Sequence, residues 1–225
     1  DNRGDEPFFS WVSFVDPHHP FDPPEPYASM YDPEIIPPSV KRENEFEDKP
    51  PHFDRMLRGY SPGNEKYDFR TVTERGWQEV RAKYYGMVSL IDHNIGRIVE
   101  SLKEKGLFEN TIIIVTSDHG ELLGDHGILF KGPFHYDCLI RIPFIVKWGD
   151  RICGGSRIPE ITQHTDIVPT LLGLTNIPLP HGVQGRTLEP LMAGEQGFGY
   201  PFAFVEHDNQ AWGFNIKTIR SHEWR

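Results

Sequence analysis

Cysteine is almost absent: Cys138 and Cys153 are the only two in 225 residues, too few for a disulfide framework. No run approaches the ~20 apolar residues of a membrane-spanning helix. There is no cluster of Lys and Arg either. With 23 basic against 33 acidic residues the net charge is −10, which argues against nucleic-acid binding through phosphate contacts. An anionic small substrate stays open, because local charge at a site matters more than the total. No signal peptide and no initial Met are present. The chain opens Asp1-Asn2-Arg3-Gly4 and passes into an apolar run at residues 7–15, so it reads as a chain entered part-way, and its compartment (cytoplasmic, periplasmic or secreted) is left open. Repeats and low-complexity segments are missing too.

What the chain does have is proline, 20 residues, and glycine, 21, which predict long structured loops. The length suits one large α/β domain. Residues 8–15 (F-F-S-W-V-S-F-V) are aromatic and β-branched and predict a strand. Residues 22–75, rich in Pro and charge, predict a long irregular excursion, part surface and part substrate-facing. Residues 76–106 predict a helix: Val80, Tyr84, Met87, Val88, Ile91, Ile95, Ile98 and Leu102 recur at three- and four-residue steps, with Gly106 as the cap. Residues 111–116 and 141–148 predict strands, residues 165–172 a short helix capped by Thr165 or Asp166, and residues 202–206 and 216–219 further strands. Helix followed by buried strand is the rhythm of an α/β fold, a mostly parallel sheet flanked by helices. One catalytic domain over 1–225 is expected in three parts: 1–75, the helix–strand core 76–195, and a C-terminal region beginning at 196.

The chemistry concentrates where two strands stop. Residues 111–116 end in Ser117-Asp118-His119-Gly120-Glu121, placing a hard oxygen and a ring nitrogen at the carboxyl edge of the sheet, where open α/β folds bind ligands. Gly120 permits a tight turn there. Thirteen residues on, Lys131 lies in a Gly-punctuated segment with Asp125, His126, Gly127 and Gly132. A divalent metal with a lysine makes an anion clamp. The run 8–15 ends in Asp16-Pro17-His18-His19-Pro20, where the prolines aim an imidazole suited to acid–base work. His135, close to Lys131, and His207, after the 202–206 strand, are candidate substrate contacts. Cys138, in an apolar run, reads as a core thiol.

These segments together, with Y-Y-G-M-V-S-L-I-D-H-N-I-G-R-I at 84–98, R-I-P-F-I-V at 141–146, H-T-D-I-V-P-T-L-L at 164–172 and G-V-Q-G-R-T-L at 182–188, resemble the sulfatase family of the alkaline-phosphatase-like superfamily, in the family's order over most of residues 7–190. The resemblance implies an alkaline-phosphatase-like fold, apparently incomplete, and hydrolysis of a sulfate ester. It implies that Asp118 and His119 are metal ligands, that Lys131 binds the sulfate group and ester oxygen, and that His18 lines the sulfate pocket and supports leaving-group protonation; His19 is given no direct role. Asp125, His126 and Asp137 are expected to be supporting or structural. One divalent ion is implied, Ca2+ by the family's carboxylate-rich site, with Mn2+ or Zn2+ admitted by His119. The implied partner is a small-molecule or carbohydrate sulfate ester. The oligomeric state is unknown. A phosphonate monoester or phosphodiester hydrolase on the same fold is the alternative, and an inactive fragment a third. The family's formylglycine nucleophile, made from Cys in C-x-P-x-R or C-x-A-x-R, has no counterpart: Cys153-Gly154-Gly155-Ser156-Arg157 has Gly where Pro or Ala belongs and falls after the Asp118-His119 strand, so it reads as a turn. Negligible activity is therefore expected of residues 1–225 alone.

Overall fold

The computed structural model of the chain describes residues 6–58, 68–209 and 214–224. In chain order these form α1 (Pro51–Leu57), the long α2 (Glu74–Glu104), β1 (Ile113–Thr116), the one-turn α3 (Asp137–Ile140), β2 (Phe144–Lys147), α4 (Ile167–Leu174), α5 (Glu189–Met192), β3 (Phe202–Asn209) and β4 (Phe214–Ser221). Helix α2 starts where the Thr73 side chain accepts a hydrogen bond from the Gly76 N–H at 3.2 Å, satisfying one of the orphan donors of the first turn. It stops before Gly106, whose φ of 66° is the left-handed conformation expected just past a helix end. Its N-terminal half buries Trp77, Arg81, Ala82, Gly86 and Met87. Beyond that, Val88 and Ile98 are exposed while Ile91, Ile95 and Leu102 are half-buried, so the second half of the expected apolar stripe is only partly covered among the described residues.

The Pro-rich stretch 22–58 is a strap along α2. Gln78 donates to the Ile36 carbonyl at 2.8 Å, Lys83 to the Ala28 carbonyl at 2.6 Å, and Tyr31 and Ser89 share a hydroxyl bond at 2.8 Å. A Cβ at Gly86 would stand 2.2 Å from the Tyr27 carbonyl oxygen, so only glycine permits this approach. The strap's α1 then supplies Met56 to the main apolar core, built with Phe69, Trp77, Leu122, Ile128, Phe134 and Leu139. That core lies directly beneath the loop joining β1 to β2. A second, polar knot ties down the C-terminal part. The fully buried Asp166 carboxylate accepts from the N–H groups of Gln163 (2.8 Å) and Arg186 (3.0 Å) and from the Tyr200 hydroxyl (2.7 Å). Such a carboxylate is tolerated in the interior because its oxygens are satisfied.

Two expectations are not met among the described residues. The predicted mostly parallel sheet is not found among the described residues: β1 pairs with β2 antiparallel, in the register Ile113 with Lys147 to Thr116 with Phe144, and β3 with β4 antiparallel, Phe202 with Ser221 to Asn209 with Phe214. A parallel neighbour needs a crossover helix, but the β1–β2 connection is an irregular loop whose helix, α3, is one turn long. The predicted strand at 8–15 forms no ladder among the described residues. Phe9, Trp11 and Val15 are largely exposed. The composition is that of a buried strand, and no neighbouring strand is present among the described residues to pair with it.

Candidate active site

The site loop folds back on itself because of two glycines. Gly120 donates its N–H to the Leu139 carbonyl at 2.8 Å, and a Cβ there would lie 1.9 Å from the Cys138 carbonyl oxygen. Close backbone approach, beyond a merely tight turn, is what Gly120 permits. Gly124, with φ of 93°, packs on the Trp77 indole, where a Cβ would come within 2.6 Å. Leu123, His126 and Phe130 also have positive φ. Strained backbone gathered in one loop is held by surrounding packing and marks functional segments. Arg81, buried on α2, donates Nε to the Leu123 carbonyl at 2.9 Å, and its other nitrogens bond the Pro37 carbonyl, Ser39 and Glu74. It fastens strap, helix and site loop together.

The Asp118 side chain is 84% exposed at the β1 end, with Oδ2 3.6 Å from His119 Nε2. Partial burial works to raise its pKa, but the His119 charge and the His119 N–H, which bonds Oδ1 at 2.9 Å, outweigh it and hold the carboxyl below its usual range. His119 Nδ1 lies 2.8 Å from the Gly120 carbonyl. A carbonyl only accepts, so Nδ1 carries a proton, and in the neutral imidazole Nε2 presents a lone pair beside the carboxylate. A metal-binding imidazole uses the same arrangement, donating its other N–H to a backbone oxygen. The donor set therefore fits a divalent ion, as a pair: among the described residues no group of three or more His, Cys, Asp or Glu side chains is placed to hold one.

Lys131 lines the same hollow as Asp118 and His119. Among the described residues no salt bridge of Lys131 is recorded, so its ammonium is not spent on a carboxylate. Burial, then the charges of His18 and of Lys131, lowers the His19 pKa. His18 and His19 stack at 4.0 Å, and His19 also packs on Phe130 at 4.4 Å. His19 lines the hollow, while His18 sits on its exposed outer side. The residue given no direct role is thus the one wedged beside Lys131. His18 Nδ1 lies 2.7 Å from the His19 carbonyl, leaving its Nε2 as an acceptor. Glu121, pushed up to about 7 by burial against the opposing pull of the Leu122 N–H, Lys131 and His119, lies behind the pair.

His135 and His207 also line the hollow. His135 Nδ1 bonds Thr218 Oγ1 at 2.7 Å, and burial followed by the His207 charge lowers its pKa. The buried His207 Nε2 has no hydrogen-bond partner. Asp137 pairs with Arg220 at 3.0 Å and clamps the β3–β4 hairpin to α3. Asp125 and His126 face the strap: Asp125 accepts from the Val40 N–H at 2.9 Å and His126 meets Glu45 at 3.1 Å. Residues 153–157 form an exposed turn, and burial pushes the Cys138 thiol up to about 11, a value for an inert group. One contributor went unread in the sequence. His164 donates Nε2 to the Ser117 carbonyl at 2.8 Å, anchoring the residue just before Asp118. Its only signal was its place beside the Asp166 cap.

A family model described as Sulfatase matches residues 1–177. The chain is 33% identical over 205 residues to an arylsulfatase of Clostridium perfringens, a match covering 90% of this chain and 41% of the relative. The solved phosphonate monoester hydrolase of Agrobacterium radiobacter superposes with a TM-score of 0.83 at 30% identity, over 97% of this chain and 48% of that one. A solved enzyme in complex with its substrate D-glucosamine-2-N,6-O-disulfate superposes at 0.60 with 28% identity, over 65% of this chain and 31% of that one. The chain spans less than half the length of each of these three.

Proposed function

The chain belongs to the sulfatase family, with the alkaline-phosphatase-like fold of its solved neighbours, and from that premise we propose that it carries the metal-and-anion half of a sulfate-ester hydrolase site. The observation that carries this reading is the meeting of Asp118, His119 and Lys131 on one hollow, with His119 Nε2 left as an acceptor. Asp118 and His119 would hold a divalent ion, with Ca2+ as the first choice. Bound there, it would offset charge on the ester's non-bridging oxygens. Lys131 binds another oxygen and takes up charge as the bridging bond lengthens. His18, exposed beside the hollow rather than lining it and with Nδ1 committed to a carbonyl, would from that rim support binding of the sulfate group and exchange a proton with the leaving oxygen through Nε2. His207 on the β3–β4 hairpin and His135 on the site loop, bonded to Thr218 of that hairpin, contact the alcohol part of the substrate, a small-molecule or carbohydrate ester. The nucleophile is not among these residues. The mostly parallel sheet expected of the domain would need strands other than β1–β4.

The test is Lys131→Ala in the complete enzyme. Turnover of an aryl sulfate should fall by about 10²–10³-fold with the thermal transition retained. Loss of that transition would make Lys131 structural, and unchanged turnover would remove it from the site. A second reading, phosphonate monoester hydrolysis, is favoured by the 0.83 superposition on the Agrobacterium enzyme. Comparing kcat/KM for aryl sulfate and phenyl phosphonate in the same preparation separates the two.

A further inference from the structure

Asp118 and His119 point where their backbone aims them. The exposed Asp118 carboxylate accepts from the His119 N–H at 2.9 Å. The Ser117 hydroxyl, 3.4 Å from the same oxygen, has a closer acceptor in the His119 carbonyl at 2.8 Å. Both partners lie in its own turn, so the peptide planes on either side set its direction. A peptide unit is rigid, and fixing its oxygen fixes the line along which the next Cα leaves. The plane after His119 is held at two points, by the Ser117 hydroxyl at the His119 carbonyl and by the Gly120 N–H at the Leu139 carbonyl, each at 2.8 Å. The plane before Asp118 is held from outside the turn, among the described residues, by one side chain. His164 Nε2 donates to the Ser117 carbonyl at 2.8 Å from 47 residues away. The Thr116 hydroxyl reaches that oxygen only at 3.5 Å and has a closer acceptor in the Pro143 carbonyl at 3.0 Å. His164 is itself firmly presented. It opens a single 3-10 turn, His164–Asp166, whose last carboxylate is the fully buried one bonded by the Gln163 and Arg186 N–H groups and the Tyr200 hydroxyl. Gly185, with φ of 88°, closes on that turn, and a Cβ there would lie 2.3 Å from the Thr165 carbonyl oxygen. The His164 ring is exposed and lines the hollow, so the apolar core does not depend on it. Because a carbonyl only accepts, Nε2 keeps its proton in either charge state of the ring.

We propose that His164 is a positioning residue for the metal pair: through the Ser117 peptide it aims Asp118, and it carries the rigidity of the Asp166 knot across to the end of β1. This role rests on Asp118 and His119 holding the ion, and it adds the side chain that presents them. Groups that orient a metal ligand from behind typically hold about 10–100-fold of the affinity for the metal. His164 acts one peptide removed from the ligand, so the low end of that range applies.

The test is Ca2+ binding by the complete, metal-stripped enzyme, followed by titration calorimetry. His164→Ala should raise the Ca2+ Kd about tenfold, a loss of ~1.4 kcal/mol, with the thermal midpoint of the metal-free protein unchanged. His164→Gln, whose amide N–H can reach the same carbonyl, should bring the Kd back to within about threefold of the parent's. A Kd unchanged by His164→Ala overturns the proposal. So does a His164→Gln variant as weak as His164→Ala, because the hydrogen bond would then not be the cause. A fall in the metal-free thermal midpoint alongside the affinity also overturns it, by making His164 a structural part of the fold. A parent enzyme that binds no Ca2+ removes the Ca2+ site and this role with it, whereas a parent that binds while both variants match it removes only the role of His164.

Discussion

Two strand ends frame the site, and they are built in opposite ways. At residues 113–120 the chain is paired to β2, anchored by His164 at Ser117, and locked by the Gly120–Leu139 bond over an apolar core. At residues 9–19 the chain has similar strand composition and a similar histidine-bearing end, yet 9–15 is exposed and without a ladder among the described residues, and only the turn after it packs, through His19 on Phe130. The difference teaches where the information for each lies. The 113–120 end finds its partners within this chain. The 9–15 stretch carries a buried-strand composition and finds no strand partner among the described residues.

The largest effect should come from breaking the closed end. Gly120→Ala puts a methyl 1.9 Å from the Cys138 carbonyl oxygen, a clash of backbone against backbone that no rotamer relieves. Unfolding by denaturant should show a loss above ~4 kcal/mol, in the range reserved for strained or overpacked sites. A smaller effect is expected from pH at the same end. Burial, opposed by a hydrogen bond at the Pro133 backbone, holds the pKa of His52 below 6.5. The unfolded chain then takes up the proton first as pH falls. Stability is therefore whole above pH 6.5 and is lost as pH drops toward the folded-state pKa. His52→Phe, in a site lined by Phe53 and Phe134, should flatten the thermal midpoint between pH 7 and pH 5. The smallest effect belongs to the open end: Trp11→Ser should change the stability of this chain by less than about 0.5 kcal/mol, as surface substitutions do. A large loss there would show that Trp11 is already packed.

The sequence was most legible where the cause is local. The 3.6-residue apolar recurrence located α2, Gly106 marked its end, and the β-branched run located β1 (at Ile113–Thr116), with Asp118 and His119 just past it. Strands β3 and β4 were found but ran longer than expected, because pairing with each other extends both. What stayed hidden depends on distant partners. Antiparallel pairing of β1 with β2 is decided by a loop with little helix, and periodicity carries no sign of it. Arg81 is a charge on an apolar face whose purpose shows only when the strap and Leu123 close around it. His18 and His19 are adjacent and of the same residue type, and packing of Phe130, not sequence, puts His19 on the hollow.

Residue-resolved hydrogen exchange on the isolated chain tests the contrast most directly. The amides of β1 paired with β2 and the amide of Gly120 should be protected, while those of 9–14 exchange at close to unprotected rates. Comparable protection at both strand ends would contradict the account, because it would mean that residues 9–14 already have their partners within this chain.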